Sequence, residues 1–105
     1  METVQSKTML SDNQINTLAA RFKVLSEESR LKIMRALFEG EKCVTEIINA
    51  TNLLQANVSK QLRILEKNKL VSCRPQGLLR YYSIADPTVM VICSTMCEAE
   101  NTRNC

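Results

Sequence analysis

Cys93 and Cys97 stand four residues apart, and Cys43 lies far upstream, in a 105-residue sequence that contains no histidine. On a helix, a spacing of four puts two side chains on one face with roots about 5–6 Å apart. Two thiolates so placed can share one soft ion. With Cys43 they would make a three-thiolate set, which suits a pyramidal As(III) or Sb(III), or a soft divalent metal. A direct Cys93–Cys97 disulfide would be strained, because it needs Cβ atoms about 3.5–4.5 Å apart. Oxidation would more easily join one of them to Cys43, to its twin in a second copy, or to a bridging sulfur chain. The bland alternative is packing, since free cysteine behaves as a small hydrophobe and both residues fall on the stripe Val89, Ile92, Met96. Cys73 is expected to be structural, and Cys105 to be an exposed tail thiol that could add a fourth ligand or do nothing. The missing histidine excludes His-based catalysis, Cys/His zinc fingers and imidazole metal sites.

A second constellation is electrostatic. Residues 54–84 hold Lys60, Arg63, Lys67, Lys69, Arg74 and Arg80 against the single acid Glu66, a local charge of +5. The other residues carry eight bases and ten acids. A charge run is usually a solvated face, but this one is mixed with short amides and hydroxyls. Gln55, Asn57, Ser59 and Gln61 sit before and between Lys60 and Arg63, and such groups read base edges while Lys and Arg hold phosphates. Arg74 and Arg80 extend the same field. Together they point to double-stranded DNA as the partner.

The elements that must position these groups follow from periodicity. Ser11 and Gln14 have capping-box spacing ahead of Ile15, Leu18, Ala19 and Phe22, predicting a helix over about 12–24. A second helix begins at Ser26, with Leu31, Ile33, Met34, Leu37 and Phe38 as its stripe and Gly40 as its stop. Thr45 caps a short third helix, broken at Asn52. Cys43, just ahead of that cap, would feel the positive helix end, which favours a thiolate. A fourth helix over about 55–67 buries Val58, Leu62 and Leu65 and ends at Asn68. Val71–Pro75 and Leu79–Ile84 then read as strands around Gln76-Gly77, with at least one of Tyr81 and Tyr82 in the core. Asp86 caps a last helix that has Pro87 at its first position. A polar-faced second helix after a short turn is the helix-turn-helix pattern, and the hairpin makes it winged.

The predicted fold is therefore mainly α with a small β-hairpin. Residues 1–10 form a flexible N-terminus, 11–100 the domain and 101–105 a flexible tail. The chain is too short for a second core, and burying more surface by dimerising would help so small a domain. No apolar run approaches the roughly 18 residues that span a membrane, and METVQSKTML lacks a signal-type apolar segment. A cytoplasmic protein with reduced thiols is expected. No base, nucleophile–base pair or phosphate loop suggests an enzyme. A thiol carrier without a DNA role stays open as a rival, though the clustered charge disfavours it.

Three stretches, LSEESRLKIMRALFEGEKCVTEI, LLQANVSKQLRILEKNKLV and RPQGLLRYYSIADP, occur in order and at spacings that resemble the ArsR/SmtB family of winged-helix repressors over roughly residues 15–97. The resemblance implies an order α1-α2-α3-αR-β-β-α5, a homodimer through the terminal helices, and operator binding that a ligand at cysteine sites weakens. It implies no cofactor for DNA binding itself. EKCVTEI is similar to the family's ELCVCDL metal box, with Cys43 at the first cysteine and Thr45 in place of the second. Asp86 matches the carboxylate of the last-helix zinc site, but Thr88 and Ala99 stand where its histidines would be, so zinc is not the expected inducer. Arg35 occupies the second-helix position of the persulfide sensors' cysteine, while Cys93 or Cys97 matches their last-helix cysteine. The inducer implied is As(III), Sb(III) or another thiophilic ion, with redox or persulfide chemistry at the same thiols as the alternative.

Overall fold

The computed structural model describes residues 9–104, and the side chains among them as far as Glu98. The expectations for residues 1–8 and for Cys105 lie outside the described residues. Among the described residues, five helices and three short strands follow in the order α1 (Asp12–Leu25), α2 (Glu28–Phe38), β1 (Lys42–Cys43), α3 (Val44–Thr51), α4 (Gln55–Lys67), β2 (Val71–Gln76), β3 (Leu79–Ile84) and α5 (Thr88–Asn104).

Local chemistry explains most boundaries. Ser11 and Gln14 close the expected capping box, the Gln14 N–H donating to Ser11 Oγ at 3.1 Å and the Ser11 N–H to Gln14 Oε1 at 2.8 Å. Ser26 does not open α2. Its N–H and hydroxyl instead donate to the Lys23 carbonyl and finish α1, so the α2 cap falls to Glu27, whose carboxylate accepts from the Arg30 N–H at 3.2 Å. Thr45 is likewise not the cap of α3. Cys43 holds that position, and Glu46 reaches back to accept from the Cys43 N–H at 2.9 Å. Asn52 ends α3 in the left-handed region, φ 60°, as a short polar residue can. Asp86 Oδ1 accepts from the Thr88 N–H at 3.2 Å and so opens α5 one residue after Pro87.

The hairpin is part of a three-stranded antiparallel sheet in the order β1-β3-β2. β1 was not expected: its two residues are too few to show alternation, and they become a strand only by pairing Lys42 with Tyr82 and Cys43 with Tyr81. The turn is Gly77-Leu78 rather than Gln76-Gly77. Gly77 has φ +63°, the conformation that the first central position of a two-residue hairpin turn demands. Pro75 is tolerated because β2 is an edge strand.

The core gathers Ile33, Met34 and Leu37 of α2, Ile47 of α3, and Val58, Leu62 and Leu65 of α4 under Leu70, Val71 and Tyr82. Val89 and Met90 seal its far side from α5. α1 contributes no buried residue. Its apolar positions Ile15 and Phe22, together with Leu31 of α2 and Ile92 and Met96 of α5, are exposed. No helix of the described residues is long and apolar enough to cross a membrane.

Candidate nucleic-acid interface and thiol sites

α3 and α4 are joined by the three-residue link Asn52-Leu53-Leu54, and the first turns of α4 bury Val58 while leaving polar side chains on their outer face. Gln55, Lys60 and Arg63 are exposed there, and Asn57 and Ser59 are half-buried. Two apolar residues that the sequence reading passed over are also bared: Leu54, at the N-cap of α4 and 80% exposed, and Leu78, fully exposed at the wing tip. The signal available was position, since an apolar residue in a tight turn has nothing to pack against.

Gln61, read from sequence as part of this face, is only 2% exposed. It cannot meet a base edge. Its Oε1 accepts from Arg30 Nε at 2.7 Å, and its Nε2 donates to Asn57 Oδ1 at 2.9 Å and to Glu27 Oε2 at 3.5 Å. A buried amide must find such partners or cost about 1–3 kcal/mol for each unmet group. Asn57 in turn donates to Ser29 Oγ at 3.2 Å.

The wing arginines differ in their commitments. Arg74 makes a bidentate pair with Glu41, Nη2 to Oε1 at 2.8 Å and Nε to Oε2 at 3.0 Å, and lies 5.1 Å from the Tyr81 ring centroid. Hydrogen bonding from Arg74 holds the Glu41 carboxyl below its ordinary range. Arg74 thus ties the wing to the segment before β1. Arg80 is exposed, and its Nη1 donates to Cys73 Sγ at 3.5 Å, which leaves most of the guanidinium facing solvent.

The thiols are distributed over separate elements. Cys43 is buried where β1 meets α3, Cys73 is half-buried on β2, Cys93 is half-buried on α5 and Cys97 is exposed one turn further on. Among the described residues no three cysteine or carboxylate side chains converge to hold a metal. The expected three-thiolate set of Cys43, Cys93 and Cys97 is therefore not assembled within one chain. Cys43 is drawn away by its strand pairing with Tyr81, whereas Cys93 belongs to a different surface, an apolar groove of about 430 Å³ between α1 and α5. Leu18, Phe22 and Leu25 form one wall and Ile92, Cys93 and Met96 the other. An ion pair of Arg21 with Asp86 lies at the groove's polar edge. With that pair and the Thr88 N–H, the Asp86 carboxylate is already committed, and the adjacent guanidinium opposes a cation there.

Known proteins share this arrangement. Residues 27–72, from the start of α2 to the first wing strand, match the bacterial regulatory protein, arsR family. The chain is 41% identical over 87 residues to the transcriptional repressor SmtB homolog of Synechocystis sp., covering 83% of this chain and 65% of that protein. It is 34% identical over 87 residues to the cadmium resistance transcriptional regulatory protein CadC of Listeria innocua, covering 82% and 73%. Its fold superposes on the crystal structure of the AntR antimony-specific transcriptional repressor with a TM-score of 0.82 and 25% identity, over 100% of this chain and 96% of that one. A helix-turn-helix with an appended wing, the match across it, and relatives of this similarity make the chain a member of the ArsR family of bacterial regulatory proteins.

Proposed function

We propose that the chain is a homodimeric transcriptional repressor that binds operator DNA through α4 and the wing and lets go when a thiophilic ligand engages Cys93 and Cys97. The observation that carries the DNA half is the exposure of Lys60 and Arg63 on α4 and of Arg80 on the wing, together with the exposed Gln55 in the first turn of α4. An α-helix fits a major groove, and a two-stranded ribbon can lie beside it. Gln55, Asn57 and Ser59 are the base-reading candidates, and Lys60, Arg63 and Arg80 the phosphate contacts. Arg74 belongs to this surface as a brace for the wing.

The dimer half rests on the α1–α5 groove. Phe22, Ile92 and Met96 stay open to water in one chain, and a second copy related by a two-fold axis would cover both grooves at once. Because Cys93 lines that groove, a ligand on Cys93 and Cys97 acts at the seam, where a small shift alters the spacing of the two recognition helices. A third donor comes from the second copy or from Cys105. The ligand class is a metalloid such as As(III) or Sb(III), or a soft divalent metal. Two relatives, the cadmium resistance regulator CadC of Listeria innocua and the antimony-specific repressor AntR, support it, and no cofactor is needed for DNA binding itself. Release requires the ligand to bind the DNA-incompetent conformer more tightly. Cys97, being exposed, also favours a second reading, in which an oxidant or a persulfide modifies the same thiols.

Intact mass under native conditions, after exposure to As(III), Sb(III), Cd(II), Zn(II), peroxide and polysulfide, tests this alongside an operator-release assay. The expected result is a dimer that gains one thiophilic ion per site and leaves DNA in step with that gain. Operator release without a mass change at the thiols refutes the sensing half, and a failure to bind duplex DNA at low salt refutes the rest.

A further inference from the structure

We propose that Arg30 is a positioning residue of the DNA-reading surface, bolting the end of α1 to the middle of α4 and, through Gln61, setting the amide of Asn57. This goes beyond the reading of α4 as the DNA-reading helix but rests on it. Arg30 lies in the first turn of α2, yet its side chain serves two other helices. Nη1 donates at 3.0 Å to the carbonyl of Val24, in the last turn of α1, where carbonyls lack intrahelical donors and a positive charge is favoured. Nε donates at 2.7 Å to Gln61 Oε1, a charge-assisted bond of the stronger kind.

The chain of bonds continues to the DNA face. Gln61 Nε2 donates at 2.9 Å to Asn57 Oδ1, and Asn57 Nδ2 donates at 3.2 Å to Ser29 Oγ. Both polar atoms of the one half-buried amide on the α4 face are thereby oriented from behind. Beyond this polar network, in which Gln61 Nε2 also reaches Glu27 Oε2 at 3.5 Å, α4 packs on the core through Val58, Leu62 and Leu65, and apolar contacts fix depth more firmly than rotation about the helix axis. A guanidinium fork is directional and its 2.7 Å bond to Gln61 is the shortest in the network, so Arg30 carries most of the rotational setting of α4, with Ser29 and Glu27 as its auxiliaries. Because α1 is also one wall of the groove, the same fork passes a displacement of that wall to the recognition helix.

The test uses the full-length protein and a duplex selected by it from a random-sequence pool, with an unselected duplex as reference. Arg30→Lys keeps the charge but loses the fork. We expect its affinity for the unselected duplex at low salt to stay within about twofold, because phosphate neutralisation sets that term. Its ratio of selected to unselected affinity should fall by about tenfold or more. A residue that merely supported the fold would lower both affinities by the same fraction and leave the ratio intact. The double variant Arg30→Met/Gln61→Met guards against a simple folding failure, since replacing both partners with apolar groups of similar shape can be nearly neutral. It should remain folded and show the same narrowed ratio. A ratio unchanged within about twofold in both variants overturns the proposal. So does a double variant that cannot fold, because the network would then be holding the protein together rather than aiming α4. Failure of the unmodified protein to select any duplex refutes instead the DNA reading on which the proposal rests.

Discussion

Replacing Ile92 with aspartate should split the dimer without unfolding the chain. Ile92 is 38% exposed on the α5 wall of the groove and lies outside the buried core, so the monomer has little to lose. In a two-fold seam the substitution counts twice. Each copy forfeits roughly two-fifths of the 1.5–3 kcal/mol that full burial of such a side chain supplies, about 1 kcal/mol. Each also brings a carboxylate into an apolar contact, where desolvation costs several kcal/mol unless the group takes up a proton. Even at about 1 kcal/mol for that second contribution, the two copies together lose about 4 kcal/mol, a dissociation constant weakened roughly a thousandfold. Sedimentation velocity across the micromolar range should show monomers with an unchanged far-ultraviolet dichroism spectrum. Operator affinity should collapse with it, because paired half-sites need paired recognition helices. A variant that remains dimeric at micromolar concentration would refute the seam and the mechanism built upon it.

Lys60→Ala and Arg80→Ala should each weaken binding to every duplex and reduce the slope of log affinity against log salt by about 0.9, one phosphate contact each, whereas Arg74→Ala should act mainly by loosening the wing from Glu41. Cys93→Ser and Cys97→Ser should each keep operator affinity and abolish release by As(III) or Sb(III), read by fluorescence anisotropy. Normal release by the double variant would make the α5 thiols packing residues. Cys43→Ser, by contrast, should lower the melting temperature, because the residue is buried at the β1–α3 joint. Glu46 accepts from the Cys43 N–H first and its thiol second, which holds its carboxyl below the ordinary 4.5. Its stabilising contribution is full above that value and lost as pH falls through the lower native one, so thermal unfolding of Glu46→Gln should depend less on pH on the acid side than that of the unmodified protein.

The helices, their order and the wing were legible because each depends on neighbours close in sequence. The 11/14 capping box, the stripe of Val58, Leu62 and Leu65, the left-handed stop at Asn52 and the Asp86 cap are all chemistry within four residues. The basic composition of residues 54–84 is legible for the same reason, charge being a property of composition. What was not legible depended on groups arriving from far along the chain. β1 exists only because Tyr81 and Tyr82 offer it a ladder. Arg74 reads as a free cation until Glu41, 33 residues upstream, pairs with it. Cys43 reads as a companion of Cys93 until the sheet takes it elsewhere. Gln61 is the clearest case. A glutamine between lysine and leucine belongs by composition on a wet face, and it is buried because Arg30, Asn57 and Glu27 meet its amide there. Local sequence determined which segments are helix and which carry charge. Only the tertiary structure decided which polar side chains stand exposed on α4 and which are buried in hydrogen bonds behind it, because a buried hydrogen bond depends on partners that only the fold brings together.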